Sequence, residues 1–106
     1  MKIEDLLNLT AGTLITTPTI TAIHSVSVYP SKIEQGDLFI SNDPEDIATA
    51  LARGAYAIIF SDENIRITDK EVAWIQVDDI QKSAFKLIRY VLISREANFY
   101  LFTQHE

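Results

Sequence analysis

Residues 36–60 leave this chain few folds to choose from. Gly36-Asp37 turns into Leu38-Phe39-Ile40, Asn42-Asp43-Pro44 opens a helix that runs through Arg53, Gly54 stops it, and Ala55-Tyr56-Ala57-Ile58-Ile59-Phe60 follows as a second strand. A helix between two strands cannot serve as a hairpin turn, so the strands are expected to be parallel neighbours joined by a crossover. The unbroken Leu-Phe-Ile suits a strand buried on both faces. Either Asn42 or Asp43 caps the helix, Pro44 sits where a missing N–H costs nothing, and Glu45 and Asp46 complement the positive end of the dipole. Ile47, Ala48, Leu51 and Ala52 form the expected buried stripe.

The flanking segments extend the same alternation. Ile3, Leu6, Leu7 and Leu9 share a face of a short first helix that begins near Lys2, with Gly12 placed to take the left-handed position after it. Thr13 to Val28 is rich in Thr, Ile and Val and broken by Pro18, and Thr19 to His24 is its best strand. Asp62-Glu63-Asn64 reads as a surface turn, Lys70 to Val77 as a further strand, and Asp78 or Asp79 as the cap of a long helix ending near Ser94. That helix repeats Ile80, Ala84, Leu87, Ile88, Val91 and Leu92 at helical spacing. Asn98-Phe99-Tyr100-Leu101-Phe102 reads as a last strand. The order predicts an α/β fold with a small mixed or mostly parallel sheet, residues 1–106 forming a single domain.

Composition narrows the partners. A formal charge of −6 opposes nucleic acid phosphates and anionic membrane surfaces, so neither is an expected partner. No apolar run approaches the ~20 residues of a membrane span, and Met1-Lys2-Ile3-Glu4-Asp5 lacks a signal peptide's layout, so a cytoplasmic setting is expected. The absence of cysteine excludes disulfides, thiolate metal sites and thiol nucleophiles.

Catalytic signatures are missing. Gly12, Gly36 and Gly54 belong to no phosphate-cradling loop, so no nucleotide cofactor is expected. His24 and His105 share no metal-ligand spacing, and no serine sits in a nucleophile elbow. Asp78-Asp79 could act as paired carboxylates, but capping accounts for both, and the cluster Asp43, Glu45 and Asp46 has the same explanation. Phe39, Phe60, Trp74 and Phe85 are expected in the core.

The segment from Tyr29 to Phe60 resembles the amino-terminal domain of the Mur ligases, ATP-dependent enzymes that add amino acids to UDP-N-acetylmuramoyl peptides. The resemblance spans roughly residues 20–93 and rests on Gly36-Asp37-Leu38-Phe39, Arg53-Gly54-Ala55 and Trp74-Ile75-Gln76-Val77-Asp78-Asp79. It implies a domain that binds the uridine end of a nucleotide-sugar in peptidoglycan precursor synthesis, the ATP loop belonging to a separate domain. Tyr29-Pro30-Ser31 stands where the family has Asp-Ser-Arg, and only Ile40, Ser41 and Asn42 replace a longer glycine-bearing loop. The ligand-binding residues that the resemblance implies are Ser25, Ser27, Tyr29, Ser31, Ser41, Asn42 and Asp43, and the ligand a UDP-N-acetylmuramoyl peptide. The alternative is an interaction or dimerisation module that has kept the scaffold and lost the pocket. Phe99, Tyr100 and Phe102 would then pair with a second copy or an adjoining ligase domain.

With no loop to cradle phosphates, the chain is expected neither to bind nor to hydrolyse ATP. Titration calorimetry should give no heat of ATP binding, and a micromolar affinity would contradict this reading.

Overall fold

A computed structural model describes residues 1–94 of the 106. Within them lies an α/β fold with a five-stranded sheet and three α-helices. In chain order these are α1 (Ile3–Thr10), β1 (Thr13–Leu14), β2 (Val26–Ser27), a 3-10 turn (Pro30–Lys32), β3 (Leu38–Ile40), α2 (Pro44–Ala52), β4 (Ala57–Phe60), β5 (Ala73–Gln76) and α3 (Ile80–Ser94). The strand order is β1-β5-β4-β3-β2. β2, β3, β4 and β5 run parallel, and β1 closes the far edge antiparallel to β5. The expected parallel pairing across residues 36–60 is present, with Phe39 opposite Ile58.

Successive side chains of a strand point to opposite faces, and here both faces are covered. Leu38, Ile40, Ala57, Ile59, Ala73 and Ile75 point to a core shared with Ile3 and Leu6 of α1 and Leu87 of α3. Phe39, Ile58, Phe60 and Trp74 point the other way, onto Ile33, Ile47 and Ala50. Ile65 and Ile67, on the helix-free connection from β4 to β5, extend this second core. Trp74 is fully buried, meets Phe60 edge-to-face at 6.0 Å between ring centroids, and donates from Nε1 to Asp69 O at 2.8 Å.

Several expectations need correction. The left-handed residue after α1 is Ala11 (φ 55°), not Gly12. Gly12 is required for space, because a Cβ there would lie 2.6 Å from Ile75 Cγ2. Thr19 to His24 forms no strand beyond an isolated bridge between Ala22 and Lys2. Its backbone is held by Met1 and Ile3: Ile23 N–H donates to Met1 O, and Ile3 N–H to Thr21 O. The buried stripe of α2 is Ile47 and Ala50 with half-buried Leu51, while Ala48 and Ala52 face solvent. Three alanines cannot fix the helix's rotation, and a turn of about one residue (~100°) moves Ala50 inward. Phe85 is 69% exposed, because α3 lies on the sheet through Leu87 and Ser83 instead. Asn98–Phe102 lies outside the described residues.

Gly54 ends α2 as expected, at φ 97°, with Gln35 Cα only 3.0 Å from where a Cβ would sit. By chemical denaturation, Ile47→Ala should lose about 2–5 kcal/mol, and half-buried Leu51→Ala less. Gly12→Ala should lose roughly 1–3 kcal/mol by overpacking; an unchanged midpoint would mean that α1 does not crowd β5.

Candidate functional site

In a parallel sheet the loops leaving the carboxyl ends of the strands gather at one rim, where α/β proteins bind ligands. Here that rim is built from residues 27–31 after β2, 41–43 after β3, 61–64 after β4 and 77–79 after β5. β2, β3, β4 and β5 are successive neighbours, so these loops adjoin in that order.

Most of the polar groups expected to bind a ligand are already bonded. Ser27 Oγ accepts from Tyr29 N–H at 3.0 Å and donates to Tyr29 O at 3.1 Å, tying its loop to itself. Ser41 Oγ accepts from Asp43 N–H at 2.9 Å. Asn42 crosses to the next loop: its Oδ1 accepts from Ser61 N–H (2.8 Å) and Asp62 N–H (3.0 Å), and its Nδ2 donates to Ser61 Oγ (2.9 Å). Asp43 is the helix cap, its Oδ1 accepting from Glu45 N–H at 2.9 Å and Asp46 N–H at 3.4 Å.

That cap decides the electrostatics of the rim. A helix amino terminus attracts anions through its unbonded N–H groups. In α2, Pro44 has no N–H, Glu45 and Asp46 bond to Asp43 Oδ1, and Ile47 N–H bonds to Asp43 O. At α3, Asp79 Oδ1 accepts from Gln81 and Lys82 N–H, and Ser83 N–H donates to Asp79 O. Asp79 is thus the cap, and the paired-carboxylate alternative for Asp78-Asp79 loses one member to structural work. Both helix starts are filled by the protein's own carboxylates, and Asp62 and Asp78 add exposed negative charge.

The remaining expected residues are scattered. Tyr29 is 64% exposed, and Ser31 is exposed on the 3-10 turn with its hydroxyl unbonded among the described residues. Ser25 lies before β2, below the rim, where it lines a cavity of about 210 Å³ with Val26, Ile88, Val91 and Leu92. Ser27, Tyr29, Ser41, Asn42 and Asp43 therefore come together on the rim of two adjacent strands, Ser31 stands beside them, and Ser25 belongs elsewhere. Sequence reasoning missed Ser61, the partner of Asn42, because nothing local marks a contact between residues 19 positions apart. Asp37 of the Gly-Asp turn is 4% exposed and closes that turn, its Oδ2 accepting from Glu34 N–H at 2.9 Å.

Among the described residues, no group of three or more His, Asp and Glu could hold a metal ion, and no helix is long and apolar enough to cross a membrane. No protein-family model matches the chain, and no curated protein matches it.

Asn42→Ala would strip the Ser61 and Asp62 amides of their acceptor and should cost about 1–3 kcal/mol. Ser31→Ala, with no bond to lose, should stay within about 0.5 kcal/mol of wild type. Equal losses in urea titrations would contradict the assignment of Asn42 as the link between the two loops.

Proposed function

We propose that this chain is a non-catalytic domain built on the Mur ligase amino-terminal scaffold, in which the uridine-nucleotide pocket has given way to an interaction role. The observation that carries the reading is the internal bonding of Ser27, Ser41, Asn42 and Asp43. A pocket specifies its ligand through a few placed polar groups, and here those groups hold their own loops. The resemblance supports the scaffold: Gly36-Asp37 leads into a central strand, and Arg53-Gly54-Ala55 leads from α2 into its parallel neighbour. Such a domain would act beside peptidoglycan precursor enzymes in the cytoplasm.

A second reading, recognition of a UDP-N-acetylmuramoyl ligand, is favoured by Tyr29 and Ser31. One offers an open ring on which a base could stack, and the other an uncommitted hydroxyl. Two filled helix starts and the surrounding carboxylates weigh against the diphosphate.

An NMR titration with millimolar UDP-N-acetylmuramic acid separates the two. The interaction reading expects no shifts. Saturable shifts confined to residues 27–31 and 41–43 would overturn it in favour of nucleotide-sugar recognition.

A further inference from the structure

The end of the sheet opposite the rim is built differently. There the segments that lead into β3, β4 and β5 enclose a cavity of about 280 Å³. Its floor is apolar, made by half-buried Ile20 and Leu51 and by buried Ala55 and Val72. Gln35, Tyr56, Asp69 and Glu71 bring polar groups to its wall. On the rim such groups are spent on the protein's own backbone, and here they are not. Among the described residues the side chains of Gln35, Tyr56 and Glu71 make no hydrogen bond, and Asp69 commits one carboxylate oxygen, its Oδ1 accepting from Glu71 N–H at 2.9 Å.

The charge on this wall is one-sided. Asp69 and Glu71 line the cavity and no described Lys, Arg or His does, while Lys70, between them in sequence, lines a separate cavity with Ile15 and Ile67. The formal charge of −6 adds to the negative potential. The wall is also held in place: Asp69 O accepts from Nε1 of fully buried Trp74 at 2.8 Å, and the Tyr56 ring lies 3.8 Å from where a Cβ of Gly36 would sit. Two carboxylates are too few to hold a metal ion, and an aromatic ring beside them attracts an organic cation instead.

We propose that this cavity binds a small organic monocation, a primary ammonium or guanidinium group on a short apolar body. The charged head donates to the free oxygens of Asp69 and Glu71 and faces the Tyr56 ring, and the body rests on Ile20 and Val72. An anion is repelled by the two carboxylates, and a neutral molecule gains nothing from them. The site goes beyond the interaction reading and shares no residue with the rim.

NMR titrations of the intact chain with n-butylamine and n-butylguanidine test this, with butan-1-ol and butanoate as neutral and anionic controls of the same length. Saturable amide shifts at residues 19–20, 35, 54–56 and 69–72 are expected with the two cations and not with the controls. Asp69→Asn combined with Glu71→Gln, at exposed positions where Asn keeps an acceptor for Glu71 N–H, should weaken binding at least about tenfold. Glu63→Gln combined with Asp78→Asn removes the same charge from the rim and should leave binding unchanged. Nα-Acetyl-lysine N-methylamide separates the sources of such a cation: tighter binding than n-butylamine assigns the cavity to a lysine side chain of a protein, and weaker binding to a free amine. No saturation by either cation, equal binding of a control, or equal affinity in the two double variants would overturn the proposal.

Discussion

Three strands that meet solvent on neither face hold this molecule together. β3, β4 and β5 send alternate side chains into two separate cores, and every residue from Leu38 to Ile40, Ala57 to Phe60 and Ala73 to Ile75 is buried. A one-residue slip of β3 or β5 would send Phe39 or Trp74 into the opposite core, so register and topology are strongly specified. Everything else is a cover: α1 and α3 on one side, and α2 with the connection carrying Ile65 and Ile67 on the other.

Burial on both faces leaves the strand ends as the places where polar groups collect, and a buried backbone group without a partner is costly. The rim meets that demand from within. Asn42 serves two amides and a hydroxyl of the neighbouring loop, and Asp43 and Asp79 serve the first amides of their helices. A rim bonded in this way has few donors left for a phosphate. Among the described residues β2 is the edge strand on that side of the sheet, and Ile88 and Leu92 of α3 lie beside Ser25 and Val26.

How much of this was legible depended on whether the signal was local. Leu38–Ile40, the Asp43-Pro44 start, the Gly54 stop and the spacing of Leu87 within α3 are written within a few residues of where they act, and each is found in place. Residues 13–24 misled because their bonds are distant. Thr16 Oγ1 donates to Val72 O and accepts from Trp74 N–H, contacts that no periodicity announces. Phe85 misled because helical spacing defines an apolar face without saying how much of it the neighbouring sheet covers. The candidate site was legible as a place and not as a chemistry, since a Ser or Asn that binds a ligand and one that closes a turn look alike in sequence.

The rim is sealed by its own hydrogen bonds. Through-hydrogen-bond scalar couplings measure this directly in a chain of this size, since they connect a donor nitrogen to the carbon bearing its acceptor. Couplings from the Ser61 amide nitrogen to Asn42 Cγ, and from the Glu45 amide nitrogen to Asp43 Cγ, are the predicted result. Their absence, with the Asn42 side chain averaging over several rotamers, would contradict the claim and return the rim to the status of an open pocket.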